Sequence, residues 1–497
     1  MSKGVGAAIA LDAGDAGAQT AAMHADDEAA RVLALIRRHG WNATSFQVLE
    51  PGYRYWFTGN ANEDAACVAY VDSGRTWVAA GAPIAAESQL AQVTAEFMQA
   101  AAKARRKVVF FGVEDRFVRA TGLPAFKIGE QPTWDPARWD AGIRASRSLR
   151  EQLRRARAKG VVVRSVGPPE LAPGSPMRAA IDGLVRRWLA SRAMAPMGFL
   201  VDIEPYRFAE ERRYWAAEVD GRLVGFVAAV PIFARGRDGQ IPAAASAATG
   251  GAWLVEDLLR APEAPNGMNE LLIDTAMRSF ADAGATFVTL GMVPLAGVER
   301  WLARVRDATR VFYDFAGLDA FKSKLRPSAR DPVLLAHAPG MRPLFALRAV
   351  LTAFARGSLW RFGVATVARG GPHALATLAA LLVPWTVLLA LAPARWFPSA
   401  AVQLAWVGFD VLLAGALFTL ARRWRTTLGR VVALAVSCDV ALTLAQAIAW
   451  NWPRRGDVWD VLVIAVACLA PALGAVVVWG ALRRGDVLVG RRSRARR

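Results

Sequence analysis

The last quarter of the chain most narrows what it can fold into. Four apolar stretches, roughly 374 to 392, 400 to 421, 428 to 450 and 457 to 481, follow one another with short polar links. At ~1.5 Å of rise per residue each is long enough to cross a hydrocarbon core of ~30 Å. Residues 373–483 are therefore predicted to form four transmembrane helices. The link after the second stretch holds Arg422, Arg423, Arg425 and Arg430, and the basic tail over 484–497 ends Arg491-Arg-Ser-Arg-Ala-Arg-Arg497. The other links carry Arg395, then Arg454 and Arg455 offset by Asp457 and Asp460. Positive charge stays on the cytoplasmic side, which puts both termini and everything before the first span in the cytoplasm. Asp410 and Asp439 fall inside spans, where a carboxylate is costly and faces a partner or a cavity; binding a lipid headgroup and holding the bundle together are both open readings.

Just ahead of the spans, residues 339–372 read as a basic amphipathic juxtamembrane helix. Leu344, Leu347, Val350, Leu351, Phe354 and Leu359 are expected on one face, punctuated by Arg342, Arg348, Arg356 and Arg361. That pattern suits a helix resting on anionic headgroups. Ordinary packing against a domain is the alternative.

A chain of 497 residues is too long for one core, so two or three domains are expected. Lys and Arg number 61 against 42 Asp and Glu, a formal charge of +19, which favours polyanionic partners such as RNA or an anionic membrane face. Cys67, Cys438 and Cys468 lie far apart, and His24, His39, His337 and His373 lack the spacing of a zinc helix. Neither a disulfide framework nor a metal is expected. No basic region followed by an apolar run opens the chain, so no signal peptide is predicted, and residues 1–26, rich in Ala, Gly and Asp, are expected to be disordered.

From Asp27 a helical pattern runs to Gly40, and strands are predicted over 53–57, 66–71 and 76–80, with turns at Gly59-Asn60 and Asp72-Ser-Gly74. A helix from 87 to about 105 and a buried strand over 107–112 follow. Helix, antiparallel strands, helix, strand is the layout of an acetyltransferase-like (GNAT-like) α/β domain, here over 27–140. A second pass over 141–338 repeats it: a basic helix over 146–159, a strand over 161–164, a helix over 177–192, and a hairpin turning at Asp220-Gly221. Then come a strand over 253–260, a Pro/Gly loop over 261–267, an amphipathic helix over 270–282 and a strand over 286–295. The polar residues of this last unit fall at the strand end and in the loop, where sites are usually built.

Several strings in this second pass carry a resemblance. Asp257-Leu-Leu-Arg260 followed by Ala264-Pro-Asn-Gly267, then Leu290-Gly-Met-Val-Pro-Leu295 and Phe315-Ala-Gly-Leu-Asp-Ala-Phe-Lys-Ser-Lys324, resemble the catalytic domain of the phosphatidylglycerol lysyltransferases, the multiple peptide resistance factor family. Ser148-Leu-Arg-Glu-Gln-Leu-Arg-Arg-Ala-Arg-Ala-Lys-Gly160 resembles the family's basic helix, and Arg75-Thr-Trp-Val-Ala-Ala-Gly-Ala-Pro83 its early strand end. The similarity covers roughly residues 40 to 335. It implies a mixed α/β fold (α+β mixed sheets) of tandem GNAT-like acyltransferase domains, the second active, here followed by the four-span helical domain. Two departures stand out. The family's large members carry their spans before the catalytic domain, so the lipid-flipping role of that region is not carried over. Around Val185-Arg-Arg-Trp-Leu-Ala-Ser-Arg192 the family tends to have an acidic residue before the tryptophan, which leaves lysine and a neutral amino acid such as alanine both open as the group transferred.

The implied activity moves an amino acid from aminoacyl-tRNA to the headgroup hydroxyl of phosphatidylglycerol in the bacterial inner membrane, lowering its negative charge and giving resistance to cationic peptides. Such a transfer needs no metal or cofactor, because the ester is already activated; the site must position the hydroxyl, take its proton and stabilise the oxyanion. No complete Arg/Gln-x-x-Gly-x-Gly/Ala phosphate loop occurs, which counts against acetyl-CoA. Asp257, next to Glu256, is the expected base or anchor of the substrate amino group. Arg260 suits the lipid phosphodiester or the oxyanion. Asn266 and Gly267 form the turn into the next helix, with Glu270 in its first turn. Lys322, placed with Asp257 and Arg260 among the catalytic group, and Lys324 suit a tRNA or lipid phosphate. Arg147, Arg150, Arg154 and Arg155 suit a phosphate backbone or a membrane face. Homo-oligomerisation is left open. The alternatives are a transferase acting on another membrane lipid, such as an aminolipid, and a non-catalytic module that senses anionic lipid.

Overall fold

The computed structural model describes residues 26–59, 66–192, 194–235, 251–309 and 314–489; residues 1–25 of the expected disordered N-terminus with His24, Asn60 of the first turn, and residues 490–497 of the basic tail lie outside them, while 484–489 of that tail continue the last helix. The first pass contains α1 (26–39), β1 (Arg54–Phe57), β2 (Cys67–Asp72), β3 (Thr76–Ala80), α2 (Leu90–Lys103), β4 (Lys107–Val113), α3 (Asp115–Thr121), β5 (Ala125–Trp134) and α4 (Trp139–Ala145). The second contains α5 (Arg147–Ala158), β6 (Val162–Val166), α6 (Pro176–Ser191), β7 (Arg213–Val219), β8 (Arg222–Ile232), β9 (Ala252–Arg260) and α7 (Met268–Asp282). It continues through β10 (Phe287–Thr289), β11 (Val293–Pro294), α8 (Arg300–Thr309), α9 (Phe315–Lys324) and β12 (Ala329–His337). The β7–β8 hairpin turns at Asp220-Gly221 with φ of 49° and 69°, the paired left-handed conformations that make Asp-Gly a hairpin signal.

All of these strands join one mixed sheet in the order β1-β2-β3-β4-β12-β5-β10-β9-β8-β7-β6, with β11 on β5. The two passes are interleaved. β12, from the end of the second, pairs antiparallel with β4 (His337 opposite Val109) and with β5 (Leu335 opposite Phe126). β5, from the first, pairs antiparallel with β10 (Val288 opposite Trp134). Neither β5 nor β12 is among the strands predicted from sequence. Each carries a proline, which argues against a ladder position; Pro332 is accommodated opposite Glu130 beside a register shift at Val333/Leu334. The single strand expected over 286–295 divides at Gly291 (φ 74°) into β10 and β11. β10 runs parallel to β9 only from Phe287 to Thr289, opposite Ala252 to Leu254; β9 then continues to Arg260 paired with β8 alone, and between β9 and β10 the sheet opens into a V.

Helices cover both faces. On one, α4, α5 and α7 bury Trp139, Leu149, Leu153, Leu272 and Phe280 against Trp215, Trp253 and Val255. On the other, Phe46, Leu49, Phe199 and Leu200 pack with Leu254 and with α10 (Pro343–Phe354). α10 departs from the single apolar face expected of it. Val350 is buried and Leu347 and Phe354 pack against the sheet, whereas Leu344, Phe345 and Leu351 remain exposed. The helix thus has an apolar surface on each side, one for the sheet and one left outward.

α11 (Leu359–Ala368), α12 (Pro372–Ala390), α13 (Ala400–Arg422), α14 (Thr426–Gln446) and α15 (Val458–Val489) complete the chain. Three helical stretches, Ala400–Arg422, Thr426–Arg454 and Val458–Arg484, are long and apolar enough to cross a membrane. The fourth, α12, is shorter than the other three, with an apolar helical stretch of Ala374–Ala390. Leu412 and Leu469 are 76% and 68% exposed, as residues facing lipid rather than water would be. The bundle is tied to the sheet domain at one end, where Arg369 Nη2 donates to the Leu189 carbonyl of α6 at 2.6 Å; at the same end Arg484 Nη2 of α15 donates to the Gly370 carbonyl ahead of α12 at 3.0 Å.

Candidate functional site

Where β9 leaves β10 it also loses register with β8. Gly225 faces Arg260, Phe226 faces Leu259 and Ala228 faces Glu256, so Val227 alone opposes both Asp257 and Leu258. This is a β-bulge, which leaves a residue unpaired and re-aims side chains. Asp257 adopts φ +48°, a left-handed conformation that costs on the order of 1–3 kcal/mol and persists only where the surroundings impose it. The bulge interrupts strand alternation, and the consecutive carboxyls of Glu256 and Asp257 both act on a third, Glu50.

One guanidinium serves this cluster directly. Arg212, buried, donates to Glu256, which also accepts from Gln47 Nε2 at 3.1 Å. Arg212 is fixed from behind by the Arg207 carbonyl at 2.9 Å. Glu50 is 3% exposed and its Oε2 has no hydrogen-bond partner; burial, then the charges of Glu256 and Asp257, push its carboxyl up to about 10 against the pull of Arg212. Asp257 is held well above the usual carboxylate range by burial and by Glu256, again opposed by Arg212. The buried Tyr53 hydroxyl likewise has no partner, and Asp202, paired with Arg356, is raised by burial. Three carboxyls share one cation, so Glu50 and Asp257 hold their protons more tightly than free carboxyls do. An ammonium beside them would shift both back toward the ionised form, because an opposite charge favours it.

Glu50 makes the consequence measurable. An acid with a raised pKa in the folded state contributes stability that is present below its unfolded value of about 4.5 and lost as pH rises toward about 10. Glu50→Gln is expected to flatten that decline, with a higher melting temperature than the unaltered protein at about pH 9 and little difference at about pH 4. Thermal unfolding of the full chain across this range reads it; parallel curves would show that Glu50 holds no extra proton.

The other sequence-predicted residues lie around this cluster rather than in it. Lys322 is buried on α9 and donates to the carbonyls of Leu290, Gly291 and Met292 at 2.7, 2.9 and 3.1 Å. Burial and then Arg330 pull it down to about 7, while three carbonyl partners use all three N–H bonds of the ammonium form. It thereby pins the segment that turns away from β9 and forms one wall of the V. Lys324 pairs with Glu270 at 2.7 Å and with Gln152, knitting α9, α7 and α5 together. Arg260 Nη2 donates to the Ala264 carbonyl at 2.7 Å and to Asn266 Oδ1 at 3.3 Å, bracing the loop, and its buried Nε has no partner.

Gly267 caps α7 at φ +92°, and a Cβ there would run into the Gln152 carbonyl of α5. Gly267→Ala is expected to destabilise the fold by ~1–3 kcal/mol through both strain and clash, read as a lowered unfolding temperature; an unchanged temperature would mean that α5 gives way. On α5 itself, Arg154 and Arg155 both bind Glu151, at 2.8 and 2.6 Å, Arg150 donates to the carbonyls of Ile143 and Arg144, and Arg147 is exposed. The basic helix and the carboxyl cluster lie on opposite faces of the sheet, with the V between them.

Sequence reasoning missed Glu50, Arg212, Gln47, Tyr53 and Asp202. Gln47 and Arg212 lie 209 and 44 positions from Glu256, the residue they bind. The one local signal was an acidic residue, Glu50, following the apolar Val48-Leu49 and preceding a Pro-Gly turn.

Comparison with known proteins adds to this geometry. The family model for the phosphatidylglycerol lysyltransferase C-terminal region matches residues 33–337. The phosphatidylglycerol lysyltransferase of Bacillus subtilis (strain 168) is 24% identical over 319 residues, 61% of this chain and 34% of that protein, so the chain spans about a third of that relative's length. Among solved structures, the C-terminal DUF2156 domain of an Agrobacterium fabrum protein superposes with a TM-score of 0.56 at 20% identity, covering 67% of this chain and 98% of that one. L-PGS from Bacillus licheniformis gives 0.53 at 20% identity, covering 65% and 96%. At such identity these two show a shared fold.

Proposed function

The chain belongs to the phosphatidylglycerol lysyltransferase C-terminal family, and from that premise we propose that it transfers lysine from aminoacyl-tRNA to the headgroup hydroxyl of phosphatidylglycerol. The observation that carries the reading is the cluster of Glu50, Glu256 and Asp257 around the single Arg212. Its surplus of negative charge suits the two ammonium groups of a lysyl ester better than the one of an alanyl ester, and it offsets the absence of an acidic residue before Trp188. In this mechanism Glu50 and Glu256 hold the ammonium groups. Asp257, with its raised affinity for a proton, takes the proton of the lipid hydroxyl as that oxygen attacks the ester carbonyl. The new C–O bond forms, the bond to the ribose oxygen breaks, and the proton passes to that oxygen. Backbone N–H groups at the bulge meet the developing oxyanion.

Placement supports two approaches. Exposed arginines of α5 suit the phosphates of a tRNA on one face of the sheet. On the other, α10 with its outward Leu344, Phe345 and Leu351 lies beside the cluster and suits a lipid surface. Residues 27–140 and 141–338 would act as two GNAT-like units with the second catalytic, and the end of the bundle that carries Arg422, Arg423, Arg425 and Arg430 would face the cytoplasm. Mass spectrometry of lipid extracts tests the whole reading. Cells expressing the chain should contain phosphatidylglycerol heavier by one lysine residue; a shift by another amino acid would move the assignment, and an unchanged lipidome would overturn it.

A further inference from the structure

Helices α12 with α13 and α14 with α15 form two hairpins that pack closely within themselves and less closely with each other. At the end tied to the sheet they close on Leu375, Leu417, Leu420, Val432 and Val478. Toward the opposite end they part around a cavity of about 790 Å³, within the ~300–1,000 Å³ of small-molecule sites. Its wall is mostly apolar, with Leu378, Trp385, Trp406 and Ile464 among its lining residues, yet Asp410 and Asp439 also line it, about midway along α13 and α14. They are 6% and 8% exposed. Asp439 accepts from Thr443 Oγ1 at 2.9 Å; Asp410 has no hydrogen bond or ion pair among the described residues.

A carboxyl buried at membrane depth without a partner is unfavourable, and such groups normally face what they bind. We propose that this cavity binds one amphiphile with an ammonium head, its positive charge on Asp410 and Asp439 and its alkyl chain against the leucines and tryptophans. An anionic or neutral amphiphile would leave Asp410 as it stands. A hard metal ion calls for ~6–8 oxygen ligands, and the wall offers two carboxyls with a few neutral groups such as Thr443 and Asn451. The site goes beyond the transfer reaction and stands without it.

The test uses the full chain in phosphatidylcholine nanodiscs, with radiolabelled dodecylammonium as probe and dodecanol, of the same chain length, as the neutral control. Saturable dodecylammonium binding above that of protein-free discs is expected, with affinity at least about tenfold lower in Asp410→Asn, an isosteric change that removes the charge without leaving a cavity. Ala467→Trp, which fills the cavity from α15, should abolish it. Competition by phosphatidylethanolamine or by aminoacylated phosphatidylglycerol in the discs supports the site and tells which lipid supplies the ammonium. Absence of saturable binding, or equal affinity in Asp410→Asn, or dodecanol binding as tightly as dodecylammonium, overturns the proposal. Asp257→Asn should keep this binding while losing lipid transfer, so the two readings fail separately.

Discussion

Asp257→Asn is expected to slow formation of aminoacylated phosphatidylglycerol by ~10²–10⁴-fold, the usual contribution of a positioned general base. Asparagine is the informative replacement because it adopts the left-handed region more readily than most residues. The bulge at φ +48° is therefore kept, and a carboxyl whose ionised form burial and Glu256 already disfavour is removed, so the fold should not weaken. Transfer of radiolabelled lysine from lysyl-tRNA to phosphatidylglycerol by the purified chain measures it, with thermal unfolding alongside. A rate equal to that of the unaltered protein would take the base away from Asp257.

Arg212→Met should produce the largest loss of stability, ~3–5 kcal/mol, the cost of breaking a buried ion pair from one side. Glu256 would lose its cation, and Glu50 and Asp257 the one charge that opposes their neighbours. A surface pair gives the contrast: Arg164, 41% exposed, bridges Glu170 and Glu218, and its removal should cost only ~0–1 kcal/mol. Adding Glu256→Gln to Arg212→Met should recover much of the loss, since the carboxyl left unpaired is then gone, and a double-mutant cycle isolates the coupling. If Arg212→Met unfolds no earlier than Arg164→Ala, the cluster is solvated rather than buried.

Much of the architecture was legible because its signals are local. Asp220-Gly221 marks a hairpin, Gly40 ends a helix, and three of the four apolar stretches after residue 373 read directly as helices of membrane length, the first being shorter. What was hidden depends on distant partners. β5 and β12 look unlike strands because Pro132 and Pro332 break the pattern, and they become strands only when each finds the other. The same holds at the site. Asp257 was visible from its motif and its neighbour Glu256 with it, but the burial that raises it and the cation that opposes Glu256, Arg212, come from parts of the chain that no spacing connects to it. Lys322 was visible as a basic residue, and its burial against three carbonyls was not, because those carbonyls lie 30 to 32 positions away. On α10 the apolar residues were read as one face because sequence periodicity cannot tell a sheet-facing stripe from an outward one when both are apolar.

The interleaving of β12 between β4 and β5 bears on how the protein is made. The centre of the sheet waits for residues 329–337, more than 200 positions after β4 is synthesised. Pairings between such distant segments form slowly and expose strand edges meanwhile. The early strands should therefore remain open to chaperones or to aggregation until nearly the entire α/β portion has emerged. Closure then comes just before the first apolar helix of the bundle follows, so maturation of the sheet and arrival at the bilayer fall close together in the life of the nascent chain.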